Sequence, residues 1–153
     1  MSDTYLLYVV DEEKLPKALP GLSELEKYEK LVARIEEVGS QWEMISLDFL
    51  PLAEALESID QLVTGGTDLM PTFAFAYSPH NLLDPNNDDY PDLGYFKPAI
   101  VKDLNDSYQS ISEAEAEGFL SKRERYVETV YYAFESAIRE AAKRGYAVAV
   151  LSR

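Results

Sequence analysis

No cysteine occurs anywhere in the chain. Disulfides, thiolate metal sites and cysteine nucleophiles are excluded, and a fold held by its core alone fits a reducing compartment. Histidine is almost as scarce: His80 stands alone, which excludes a histidine-pair metal site. No apolar run approaches the ~20 residues that a membrane-spanning helix needs. The opening Met1-Ser2-Asp3-Thr4 has neither the basic nor the apolar region of a secretory signal. These absences predict a soluble protein of cytoplasmic type. Gly-x-Gly-x-x-Gly and Gly-x-Ser-x-Gly are missing too, and Gly65-Gly66-Thr67 lacks the lysine of a phosphate-binding loop, so it reads as a helix stop.

Positive charge is missing where it would matter most. Between Arg34 and Lys97 there is no lysine or arginine, while residues 35–96 carry twelve acids. Residues 122–153 reverse the balance, with seven bases against four acids, yet the net charge is −14. Proteins that grip phosphate backbones need clustered cations to displace counterions, so neither nucleic acid nor an anionic membrane is an expected partner. Two readings of the acidity stay open. It keeps the chain in solution, or it forms an acidic face that recognises a basic protein.

What is present suffices for one domain. A chain of 153 residues, 46% of them hydrophobic, buries roughly 70% of the surface it would expose unfolded. Thr4 to Val10 reads as a buried strand, and Tyr146 to Leu151 as a closing one. Ser23-Glu24-Leu25-Glu26 is a capping box. Behind it Leu25, Tyr28, Leu31, Val32, Ile35 and Val38 form one helical stripe, with Gly39 suited to a left-handed C-terminal turn. Trp42 to Leu47 reads as a short extended segment. A second helix starts near Pro51 with Leu52, Ala55, Leu56, Ile59, Leu62 and Val63 inward, and ends at Gly65-Gly66. A third begins at about Pro98, with Ile100, Val101 and Leu104 inward. Ser112-Glu113-Ala114-Glu115 is a second capping box, opening a short helix that Gly118 interrupts. The longest helix spans about Lys122 to Arg144, with Tyr126, Val127, Val130, Phe134, Ala137, Ile138 and Ala141 buried and Gly145 as its cap. Residues 67–97 read as an irregular middle, in which 72–77 fits a strand or a helical turn and the rest is loop. Terminal strands with helices between them predict an α+β fold: a small sheet covered by about four to five helices.

Several segments resemble the YfbM-type family of bacterial proteins, a family of unknown function. Ile59-Asp60-Gln61-Leu62-Val63-Thr64-Gly65 resembles that family's leucine-rich helix closing in a Leu-Thr-Gly turn. Gly94-Tyr95-Phe96-Lys97-Pro98-Ala99-Ile100-Val101 is similar to its loop-to-helix entry, and Phe134 through Leu151 to its final helix and strand. Asp88 through Tyr95 also resembles a segment of related actinobacterial proteins. The likeness covers roughly residues 50–151. The family usually has a capping serine or threonine where Lys97 stands. The resemblance implies a fold but brings no catalytic residue with it.

Chemistry-bearing residues gather in the irregular middle. Asp84, Asn86 and Asp88 match the first three alternating ligands of a calcium loop. Asp89 then occupies the place of the turn glycine and Tyr95 that of the bidentate glutamate. No metal and no cofactor are expected. There are eleven tyrosines in all, and a tyrosine combines a rigid contact area with a polar tip. Tyr131 and Tyr132 point about 100° apart on a helix, so at least one of them belongs at a boundary. The candidate binding residues are Tyr77, His80, Asp88, Asp89, Tyr90, Asp92 and Tyr95. The leading expectation is a non-enzymatic protein-binding module, immunity- or inhibitor-like, that covers a basic protein with residues 77–97. The alternative is a small-molecule binder or enzyme with a pocket under that loop, and a pocket containing His80 would favour it.

Overall fold

The structure, a computed structural model, describes residues 3–75, 77–84 and 93–153. Four antiparallel strands form one sheet: β1 (Thr4–Val10), β2 (Ser40–Ser46), β3 (Leu93–Phe96) and β4 (Ala147–Ser152), in the order β2-β1-β4-β3. The two strands read from the ends of the sequence lie side by side at its centre, with Tyr5 opposite Ser152 and Val10 opposite Ala147. Because side chains alternate across a strand, each central strand feeds two cores. Leu7, Val9, Val148, Val150 and Phe96 face one way. Tyr8, Val10, Ala147, Ala149, Leu151 and Tyr95 face the other. With both faces covered, neither central strand needs a polar side, and both are therefore continuous apolar runs.

The larger core packs under α2 (Phe49–Val63), α3 (Leu69–Phe75), α4 (Pro98–Gln109), α5 (Glu113–Leu120) and α6 (Arg125–Arg144). The smaller one lies under α1 (Glu24–Val38), which contributes Leu31, Val32 and Ile35, with Leu15 and Leu83 closing its sides. Both predicted capping boxes are present at Ser23 and Ser112. Lys97, at the N-terminal boundary of α4, makes no side-chain cap.

Several local readings are corrected. Of the two forms open for 72–77 the helical one is present, as part of a helix over 69–75, and it brings the helices to six among the described residues. Leu93–Phe96 is a strand and not loop: it pairs with β4, Leu93 opposite Leu151 and Phe96 opposite Val148. Gly39 is extended (φ −89°) and not left-handed. What requires glycine there is space, since a Cβ would stand 2.7 Å from the Ile35 carbonyl oxygen. Gly118 does not interrupt α5, which continues to Leu120. Leu25 is 48% exposed, outside the core stripe. Tyr131 is buried while Tyr132 is 44% exposed, which divides that pair between core and boundary.

A candidate ligand cleft beside the third strand

One candidate site is assembled from three regions of the chain. The 3-10 turn Glu12–Lys14 follows β1 and is held by the Asp11 side chain, which accepts the Glu13 amide at 3.1 Å. A second 3-10 turn, Pro79–Asn81, follows α3. Ser78, buried ahead of it, accepts the Leu83 amide on its hydroxyl at 2.9 Å. The Asp84 amide then donates to Glu24 at 2.9 Å and ties this stretch to α1. That bond, together with Lys27, holds the Glu24 carboxyl below its usual range. The third region is β3 with Lys97 directly after it.

Between them lies a cleft of about 320 Å³, lined by Glu12, Phe73, Tyr77, Ser78, His80, Asn81, Tyr95 and Lys97. Phe73 and Tyr77 stack with ring centroids 4.6 Å apart and form an apolar wall. Tyr95 is buried on the sheet face that packs under α1, and its hydroxyl donates to the Glu12 carboxylate at 2.5 Å. Burial first, and the Glu12 carboxylate second, push the Tyr95 hydroxyl well above its ordinary range, so it remains a donor. His80, Asn81 and Lys97 are exposed around the opening. Among the described residues Lys97 makes no ion pair.

The backbone at the rim is unusual. His80 and Asn81 both have φ of 53°, a left-handed conformation that non-glycine residues adopt sparingly. Histidine and asparagine tolerate it better than most, but two in succession are costly unless their surroundings hold them there. The Leu82 amide donating to the Pro79 carbonyl and the Leu83 amide donating to Ser78 supply that hold. The backbone of both rim residues is thereby held at the opening.

Of the sequence-predicted residues, Tyr77, His80 and Tyr95 converge on this cleft. Tyr95 belongs to its buried floor and is not an exposed anchor. Asp88, Asp89, Tyr90 and Asp92 lie outside the described residues, as does most of the calcium-like stretch. Glu12, Phe73, Ser78, Asn81 and Lys97 complete the lining and were not singled out from the sequence. Among the described residues no group of three or more histidines and acids is placed to hold a metal ion, and no helix is long and apolar enough to cross a membrane. Comparison with family models, with curated proteins and with solved structures finds no match.

Proposed function

We propose that this chain is a small-molecule-binding protein and that the cleft beside β3 takes a planar ligand bearing an anionic group. One observation carries the reading: the stacked Phe73–Tyr77 pair, His80 and the Lys97 ammonium converge on one cleft. A ring pair offers a flat apolar surface to a planar molecule. Lys97 and the donors at the rim suit a carboxylate or phosphate, while the acid that lines the cleft, Glu12, is already engaged by Tyr95. Ligand-observed NMR with small aromatic carboxylates and their neutral amides tests this. The carboxylates bind, the amides bind several-fold more weakly, and Tyr77→Ala and Lys97→Gln each weaken binding about tenfold, or ~1.4 kcal/mol. No binding, or binding indifferent to both changes, overturns the proposal.

A second reading rests on charge. With twelve acids and neither lysine nor arginine across residues 35–96, the chain suits a basic protein partner as an immunity- or inhibitor-like module. Electrostatic steering would then make association slow markedly as salt rises.

A further inference from the structure

A second cleft, remote in sequence from the first, has the opposite chemistry. It lies between α5 and α6, encloses about 280 Å³, and is lined by Glu113, Glu117, Glu135, Tyr131 and Tyr132 among others. Glu113 and Glu117 are four residues apart, on one face of α5. Tyr131 and Glu135 are spaced in the same way on α6. Tyr132 completes the corner, its ring 5.1 Å from that of Tyr131 and nearly perpendicular to it.

Acids on neighbouring helices are no site by themselves, and the second observation is Tyr131. Its side chain is only 1% exposed, and packing against Tyr108 at 5.3 Å fixes the ring. Its hydroxyl makes no hydrogen bond among the described residues. No fully buried side-chain oxygen is left without a partner among them. The little exposure Tyr131 keeps therefore belongs to that hydroxyl, which opens into the acidic cleft. A hydroxyl that reaches the cleft from a buried, fixed ring, with no protein partner among the described residues, offers a ligand a placed hydrogen-bonding position.

The kind of ligand follows from the arrangement. The three carboxylates do not converge as metal ligands would. Among the described residues Glu135 pairs with Arg139, at a long 3.6 Å, and that arginine is 60% exposed. The carboxylates raise the energy of any further negative charge: Tyr131 is pushed up to about 12, by burial and then by Glu135, and Tyr132 is raised by burial and then by Glu135 and its neighbours. Both hydroxyls stay neutral. A cation with several spread donors and a flat face uses all of these groups together, where a compact, strongly hydrated ammonium does not.

We propose that the α5–α6 cleft binds a guanidinium group, carried either by a small molecule or by an arginine side chain of a partner. Its plane lies on the Tyr132 ring and its edges donate to the Glu113, Glu117 and Glu135 carboxylates and the Tyr131 hydroxyl. The test is a titration of the full chain, carbon-13 labelled in its tyrosine rings, at constant ionic strength. The probes are methylguanidinium, N-acetylarginine methylamide and tetramethylammonium. Saturable shifts of Tyr131 and Tyr132 are expected with the guanidinium probes, and at least fivefold weaker ones with tetramethylammonium. Glu117→Gln and Tyr132→Ala, both exposed positions, weaken the response about tenfold without altering the rest of the spectrum, and Lys97→Gln leaves it unchanged. Similar saturation by methylguanidinium and the arginine derivative assigns the cleft to free guanidino compounds, and saturation by the arginine derivative alone assigns it to a partner's side chain. Absence of saturation with both, an equal response to tetramethylammonium, or indifference to Glu117→Gln and Tyr132→Ala overturns the proposal.

Discussion

Asp60 brings a carboxylate into the interior, where it is 2% exposed, and backbone amides stand in for a cation. One oxygen accepts the Asp68 amide at 2.7 Å and the other the Met70 amide at 3.1 Å. Both donors belong to the turn that starts α3, so a side chain of α2 sets the direction of the next helix. Removing it leaves two amides without their acceptor, and hydrogen bonds to a charged acceptor are worth more than neutral ones. Asp60→Ala is therefore expected to lower stability by about 2–4 kcal/mol in urea denaturation. Asp60→Asn, which keeps one acceptor, costs about half as much. A loss under about 0.5 kcal/mol for the alanine variant would remove Asp60 from this role. In the sequence it is one acid among twenty-eight, and periodicity says nothing about a carboxylate aimed at amides eight and ten residues ahead.

At the scale of elements, β3 and α3 define each other. Gly94 lies on the sheet face beneath α3, and a Cβ there would stand 2.0 Å from the Ala74 carbonyl oxygen. The obstacle is backbone, which cannot move aside as a flexible side chain does. Gly94→Ala is expected to cost about 3 kcal/mol or more, and to loosen α3 and β3 in hydrogen exchange before the central strands. Protection lost evenly across the sheet would contradict that. These two elements are also the ones the sequence concealed. Leu93–Phe96 has four residues, buried on both faces, so no alternation marks it, and Gly94 passes for loop punctuation. Leu69–Phe75 has seven, too few for a helical stripe. In α1, α2, α4 and α6 several turns repeat the pattern, and capping boxes mark the starts of α1 and α5, so those helices were legible, although α5 runs through Gly118 and α6 starts at Arg125, three residues later than read. The candidate cleft was half legible for the same reason. Tyr77, His80 and Tyr95 stood out by chemistry within one segment, whereas Glu12 reaches Tyr95 from 83 residues away, which spacing does not show.

For the whole molecule, buried tyrosines link the fold to pH. Burial raises Tyr95, Tyr108 and Tyr131 above the ordinary 10.0, Tyr131 to about 12. The unfolded chain thus gives up these protons near pH 10 while the folded chain keeps them. Stability that is fully present below pH 10 is lost as the pH rises toward the folded values. Melting temperatures at pH 8, 10 and 11 should fall across the last interval. The Tyr108 hydroxyl donates to the Met70 sulfur at 3.7 Å, a weak acceptor, and Tyr108→Phe should make the fall shallower. An equally steep fall in that variant would trace alkaline unfolding to other groups.

The pairing of β1 with β4 also settles how the molecule carries a load. Thr4 and Arg153 exchange both backbone hydrogen bonds, at 3.2 and 2.7 Å, so the two positions sit together at one end of the central ladder. A tether pulling them apart acts across the strands and not along them. The rungs then break in succession, each bearing the force alone, where a sheared ladder would share it among all. The pair at the centre of the sheet, covered on both faces, is thus mechanically a zipper when drawn from this end.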